Sequence, residues 1–151
     1  MKKLALLFVL PAVLLFGCKE DDRESQADID EQIILDYIED NSLDATATGS
    51  GLYVVIDEPG TGTQPNTNSD VTVAYRGYFT DGVTFDQSDA QGITFNLQQV
   101  IDGWTEGIPH FKEGGSGMLL IPSALGYGTR GQGSIPPNTV ILFDVTLIDV
   151  P

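Results

Sequence analysis

The chain has 151 residues, 41% of them hydrophobic, and sets 22 acidic residues against seven basic ones for a net charge of −15. A surface this acidic repels phosphate backbones and anionic headgroups, which argues against nucleic acid as a partner. The single cysteine excludes an intrachain disulfide, so the fold must stand on its core.

The first residues read as a processing segment rather than as part of the fold. Lys2 and Lys3 form a basic start, and Leu4 to Phe16 is apolar apart from Pro11. That run is short of the roughly 20 residues a membrane-spanning helix needs. Leu15-Phe16-Gly17-Cys18 follows, and it resembles a bacterial lipobox. The resemblance implies cleavage before Cys18, lipidation of that cysteine, and an exported lipoprotein held to a membrane at its outer-membrane, periplasmic or cell-surface face. Loss of Lys2 and Lys3 would leave the chain still more acidic. Attachment would then come from acyl chains, of which a stable anchor takes more than one. Lys19-Glu20-Asp21-Asp22 is similar to the export tag of some surface lipoproteins; the competing reading is a solvated, extended tether.

From Lys19 to Asp44 there are eleven acidic and two basic residues, a composition that argues against a packed core. Within it, Ile29, Ile33, Ile34, Tyr37 and Ile38 form an apolar helical stripe between Asp28 and Asp40. So short a helix is marginal alone and is expected to rest on its own domain, a docking or dimerisation helix being the alternative. Thr46 to Gly51 is small and polar and marks entry into the folded domain. The expected division is a signal peptide over 1–17, an acidic tether with a short helix over 18–45, and one domain over 46–151.

Strand patterns follow at Leu52 to Asp57, Val71 to Thr80, Val83 to Phe85 after an Asp81-Gly82 turn, and Ile93 to Asn96. Gln98 to Gly107 has helical spacing, with Val100, Ile101 and Trp104 on one face. Gly115 to Ile121 and Val140 to Val150 complete the strands, the last alternating Ile141, Phe143, Val145 and Leu147. Pro122 to Asn138 between them is a Gly- and Pro-rich loop. The tally is α+β: an antiparallel sheet of about five strands, one short central helix, and an N-terminal amphipathic helix. Such a sheet must bury one face, and the segment carrying Trp104 is the candidate cover.

Val100-Ile101-Asp102-Gly103-Trp104, read with Tyr127-Gly128 and Ile135-Pro136-Pro137, resembles the FK506-binding type of peptidyl-prolyl isomerase. Asp81-Gly82-Val83-Thr84-Phe85-Asp86-Gln87-Ser88 is similar to a second motif of that family, and Ala74-Tyr75-Arg76-Gly77 to a third. The resemblance runs from near Gly51 to the C-terminus with its motifs in order. It implies a half-barrel sheet wrapped on one helix, and rotation about X–Pro bonds in an apolar pocket without cofactor or metal. Carried over residue by residue, it assigns catalysis to Tyr127, Asp86, Trp104 and Phe85, and substrate contact to Tyr75, Phe95, Val100, Ile101, Ile135 and Phe143. Tyr127 and the backbone N–H of Ile101 are the expected donors to the substrate carbonyl. The implied partners are proline-containing polypeptides folding outside the cytoplasm, with macrolide inhibitors as further occupants. Two departures stand out. Arg130-Gly131-Gln132-Gly133-Ser134 replaces a loop in which many relatives carry His, and Gln99 stands where an acid is common, with little consequence expected there.

Other chemistry finds no support. His110 lies in Pro109-His110-Phe111 beyond the helix and reads as a surface or turn residue, which with a lipidated Cys18 leaves no triad, Cys–His pair or zinc set. Gly114-Gly115-Ser116-Gly117 precedes a strand rather than a helix and is a turn, not a phosphate loop. The rival function is a binding module that holds a proline-containing segment in a surface or motility assembly.

Overall fold

The computed structural model describes residues 24–151. Cys18, the Leu4–Phe16 segment and the Lys19–Asp22 run lie outside the described residues. The first element, α1 (Gln26–Asp40), starts at a capping box: Ser25 Oγ accepts the Asp28 N–H, and the Asp28 carboxylate accepts the Ser25 N–H. The Ser25 hydroxyl also donates to that carboxylate at 2.7 Å, and this bond first, then the one from the Ser25 N–H, holds the Asp28 carboxyl below the usual range.

Seven strands form one antiparallel sheet, where about five were expected: β1 (Ala45–Ala47), β2 (Tyr53–Glu58), β3 (Asp70–Tyr78), β4 (Thr84–Gln87), β5 (Ile93–Asn96), β6 (Ser116–Ile121) and β7 (Ile141–Asp149). The order is β1-β2-β6-β7-β3-β4, and β5 also pairs with β3. β1 falls in the polar entry segment, where three small residues carry no strand pattern. β4 and β5 share one edge of β3, β4 against 76–78 and β5 against 70–73. Ser88 spans the gap between them. Its Oγ accepts the Tyr75 N–H at 2.9 Å and its N–H donates to the Tyr75 carbonyl at 3.0 Å, so Tyr75 keeps its backbone bonds where the edge strand breaks.

Alternation sorts the side chains between two cores. Val71, Val73, Leu119, Ile121, Ile141, Phe143, Val145 and Leu147 bury on one face together with Trp104. That face is covered by α2 (Asp102–Gly107), which is shorter than the helix expected from Gln98. The difference has a local cause: Asn96 Oδ1 accepts the Gln98 N–H and the Asn96 carbonyl accepts the Gln99 N–H, a turn that competes with helix. α2 lies tight against β6. A Cβ on Gly103 would stand 2.6 Å from Ile121 and one on Gly107 2.6 Å from Leu119. Glycine at both positions is what lets the Trp104 indole reach down into the sheet.

The opposite face is not left to solvent. Val55, Tyr78, Leu120, Val140 and Leu142 form a second core with Ile34 of α1, and Tyr37 and Ile38 pack beside it. The composition of the acidic segment argued against packing, yet Ile34 is fully buried and Asp30 is 1% exposed. The stripe of α1 that packs on the sheet is therefore Asp30 and Ile34, both buried, with Tyr37 and Ile38 partly buried beside them, whereas Ile29 and Ile33 are exposed. Tyr53 adds a tie from β2, its hydroxyl donating to Glu31 at 3.0 Å.

Candidate functional site

A cavity of about 370 Å³ opens between α2 and the concave face, lined by Tyr75, Asp86, Phe95, Gln99, Val100, Ile101, Trp104, Tyr127 and Phe143. Each wall comes from a different element. β3 supplies Tyr75, β4 Asp86, β5 Phe95 and β7 Phe143, while the loop after β6 supplies Tyr127. Trp104 is the hub. Its ring meets Tyr75, Phe95 and Phe143 edge-to-face at centroid distances of 5.2, 5.5 and 5.3 Å. That arrangement matches the ring quadrupoles and fixes the indole at the base of the cavity. Its N–H is buried and has no hydrogen-bond partner among the described residues.

Val100 and Ile101 reach the cavity because they precede the helix, Val100 in a bend and Ile101 in extended backbone. Ile101 caps α2 at φ −61°, ψ 149°, and its carbonyl accepts the N–H groups of Trp104 and Thr105. Its own N–H precedes the helix and donates to no described residue. The hydroxyl of Tyr127 likewise makes no hydrogen bond to the described residues. Two unused donors therefore stand on residues that line an aromatic-floored cavity.

The one charged group on the wall is Asp86, whose Oδ2 accepts the Tyr75 hydroxyl at 2.8 Å. Burial first, and then that bond and charge, push Tyr75 up to about 12. Tyr127 is also raised, by burial and then by the charge of Asp86. Both phenols thus keep their protons at neutral pH, and Tyr127 remains a donor.

The structure does not bring every expected residue to the wall. Phe85 is half-buried behind the cavity, packed edge-to-face on Phe143 at 5.6 Å and against Phe79 at 5.1 Å. Ile135 is 7% exposed and fills the core beneath the long loop. It anchors a reciprocal pair of backbone bonds with Gln132, at 2.8 and 2.9 Å, that closes the rim. Gly131 turns there at φ +67°, and a Cβ would collide with the Ile135 carbonyl. Gln99, by contrast, lines the cavity although its departure from the family pattern was expected to matter little. An exposed Gln carries no signal in sequence. Only the turn at Asn96 aims it at the opening. His110 is exposed in a 3-10 turn (Ile108–His110) and does not line the cavity.

Known proteins agree with this geometry. The family model described as FKBP-type peptidyl-prolyl cis-trans isomerase matches residues 61–148. A probable FKBP-type peptidyl-prolyl cis-trans isomerase FkpA of Neisseria meningitidis is 47% identical over 106 residues, which cover 68% of this chain and 39% of that protein. FkpA of Escherichia coli K12 is 43% identical over 105 residues, covering 68% and 39% respectively. The chain thus spans about two-fifths of the length of the curated relatives it matches. Among solved structures, FkpA from E. coli superposes with a TM-score of 0.72 at 38% identity, over 82% of this chain and 60% of that one. A peptidyl-prolyl cis-trans isomerase from Pseudomonas syringae pv. tomato gives 0.70 at 31% identity, over 85% of this chain and 98% of that one. With its motifs in order, its sheet wrapped on α2 and these relatives, the chain belongs to the family of FKBP-type peptidyl-prolyl cis-trans isomerases.

Proposed function

We propose that this chain catalyses cis–trans rotation about X–Pro peptide bonds and so assists the folding of exported proteins. The observation that carries the reading is the pair of unused donors, Tyr127 Oη and the Ile101 N–H, beside a cavity floored by Trp104. Rotation is slow because amide resonance imposes a barrier of about 18–20 kcal/mol. In the twisted transition state that resonance is lost and the carbonyl becomes less polar. A dry aromatic cavity therefore favours the twisted form over the planar one, and a neutral donor holds the carbonyl while the bond turns. No covalent step is required. Trp104, Phe95, Phe143 and Val100 would enclose the prolyl ring, and Asp86 would orient Tyr75 at the wall. Phe85 would act from behind, by holding Phe143.

The test is isomerisation of a short X–Pro peptide by wild type and Tyr127→Phe. One neutral hydrogen bond is worth roughly 0.5–1.5 kcal/mol, so the variant should fold normally and turn over about twofold to tenfold more slowly. Equal rates would remove Tyr127 as the carbonyl donor. Tight peptide binding without turnover in the wild type would instead mark a holder of proline segments. The same cavity would accept macrolide inhibitors, with affinity set by the Arg130–Ser134 rim.

Export and anchoring belong to the same reading. Residues 1–17 would be removed as a signal peptide and Cys18 lipidated, with 18–45 leading into the isomerase domain over 46–151. Among the described residues no helix is long and apolar enough to cross a membrane. Cys18→Ser should give a protein that folds and isomerises but leaves the detergent phase on partitioning. Retention in detergent would place the anchor elsewhere.

A further inference from the structure

α1 carries a buried carboxylate that the cavity does not use. Asp30 is 1% exposed. Its Oδ2 accepts two hydrogen bonds from Ser123, one from the backbone N–H at 2.8 Å and one from Oγ at 2.6 Å. Its Oδ1 accepts the side-chain amide of Gln26 at 2.7 Å. A charge withdrawn from water persists only when its oxygens are bonded, and three donors meet that requirement. Covering the convex face does not call for it: Ile34, Tyr37 and Ile38 do so with apolar surface, and an apolar residue at position 30 would cost less to bury.

What the carboxylate holds is the start of the segment that carries Tyr127. Ser123 opens the 3-10 turn Ser123–Leu125 directly after β6 and Pro122. Its carbonyl accepts the N–H of Gly126 at 3.0 Å and that of Gly128 at 2.8 Å. The residues on both sides of Tyr127 therefore hang on Ser123, and Ser123 hangs on Asp30.

We infer that Asp30 is a positioning residue: by clamping Ser123 it sets where the Tyr127 hydroxyl stands over the cavity, which makes α1 part of the isomerase unit. This rests on the reading of Tyr127 as the carbonyl donor. The experiment is a double-mutant cycle on the full chain, with kcat and KM for an X–Pro peptide measured for wild type, Asp30→Asn, Ser123→Ala, Tyr127→Phe and the two doubles. Denaturant unfolding of each reports stability separately. Asp30→Asn should lower kcat with KM nearly unchanged, by no more than the roughly twofold to tenfold loss of Tyr127→Phe, since a misplaced hydroxyl costs at most what an absent one does. Ser123→Ala keeps the backbone bond and should lose less. In the Tyr127→Phe background both losses should shrink to under about twofold, since the hydroxyl to be placed is gone and the effects are coupled. Should Asp30→Asn unfold, the cycle on Ser123→Ala decides alone. Equal losses in both backgrounds, or full kcat in the folded clamp variants, would overturn the inference and leave the Tyr127 reading intact. Tyr127→Phe turning over like wild type would overturn both.

Discussion

Trp104 combines two duties in one side chain. It is 4% exposed, three aromatic rings meet it edge-to-face, and its upper surface floors the cavity. Trp104→Ala should therefore cost about 3–5 kcal/mol in denaturant unfolding, the range for a large aromatic truncated in a core, as well as turnover. Trp104→Phe should keep most of the stability, so any activity it loses would report the floor rather than the fold. Tyr75, Asp86, Phe95, Val100, Ile101, Trp104, Tyr127 and Phe143 were legible as site candidates because motif register carries residue identity. Phe85 and Ile135 were equally legible as motif members, but not where their side chains end up. Both are spent on packing, and a motif does not distinguish a wall from what stands behind it.

At the scale of elements, α1 shows why helical periodicity can mislead. A period of 3.6 residues admits two overlapping stripes here, Ile29-Ile33-Tyr37 and Asp30-Ile34-Tyr37-Ile38. Hydropathy favours the first, because an acid at position 30 reads as solvent-facing. The second is the one that packs, since Ser123 supplies the donors that make burial of Asp30 tolerable. Ile34→Ala should accordingly destabilise by about 2–3 kcal/mol, the lower part of the range for such truncations because alanine favours helix. Ile33→Ala, on the exposed flank, should change unfolding by less than about 0.5 kcal/mol. Equal effects would mean that α1 does not rest on the sheet as described. Helix α2 was legible in place but not in extent: its glycines and the Asn96 turn are tertiary and local choices that spacing alone does not separate.

For the whole molecule, the acidic surface and the protonated phenols set the response to pH. No group proposed to act on substrate exchanges a proton near neutrality, so peptide turnover should be nearly flat between roughly pH 6 and 8. A bell-shaped profile there would reopen general acid–base catalysis. Stability behaves differently in alkali. The unfolded phenol titrates near 10.0, whereas Tyr75 is held to about 12 by burial and by Asp86. Between those values the unfolded chain has released a proton that the folded one retains. The contribution is thus complete below about pH 10 and is lost as pH rises toward 12. Tyr78 adds in the same sense, its burial and its bond to Asp144 raising it as well. Denaturation measured from pH 9 upward should show this decline, with a shallower slope in Tyr75→Phe.

The sequence by itself determined the α+β class, the positions of most strands along the chain, the one-face alternation of β7 and the family. Each depends on residue type at fixed spacing along one chain segment. The tertiary structure alone decided that the sheet is covered on both faces, that Gln99 reaches the cavity while Phe85 and Ile135 do not, and that a charge on α1 is buried against Ser123. Those outcomes depend on which distant groups meet: position 30 meets Ser123 across 93 residues of chain, and no local pattern encodes that meeting. Burial of a polar group is settled by its partner, and partners separated by most of a domain become neighbours only when the chain has folded.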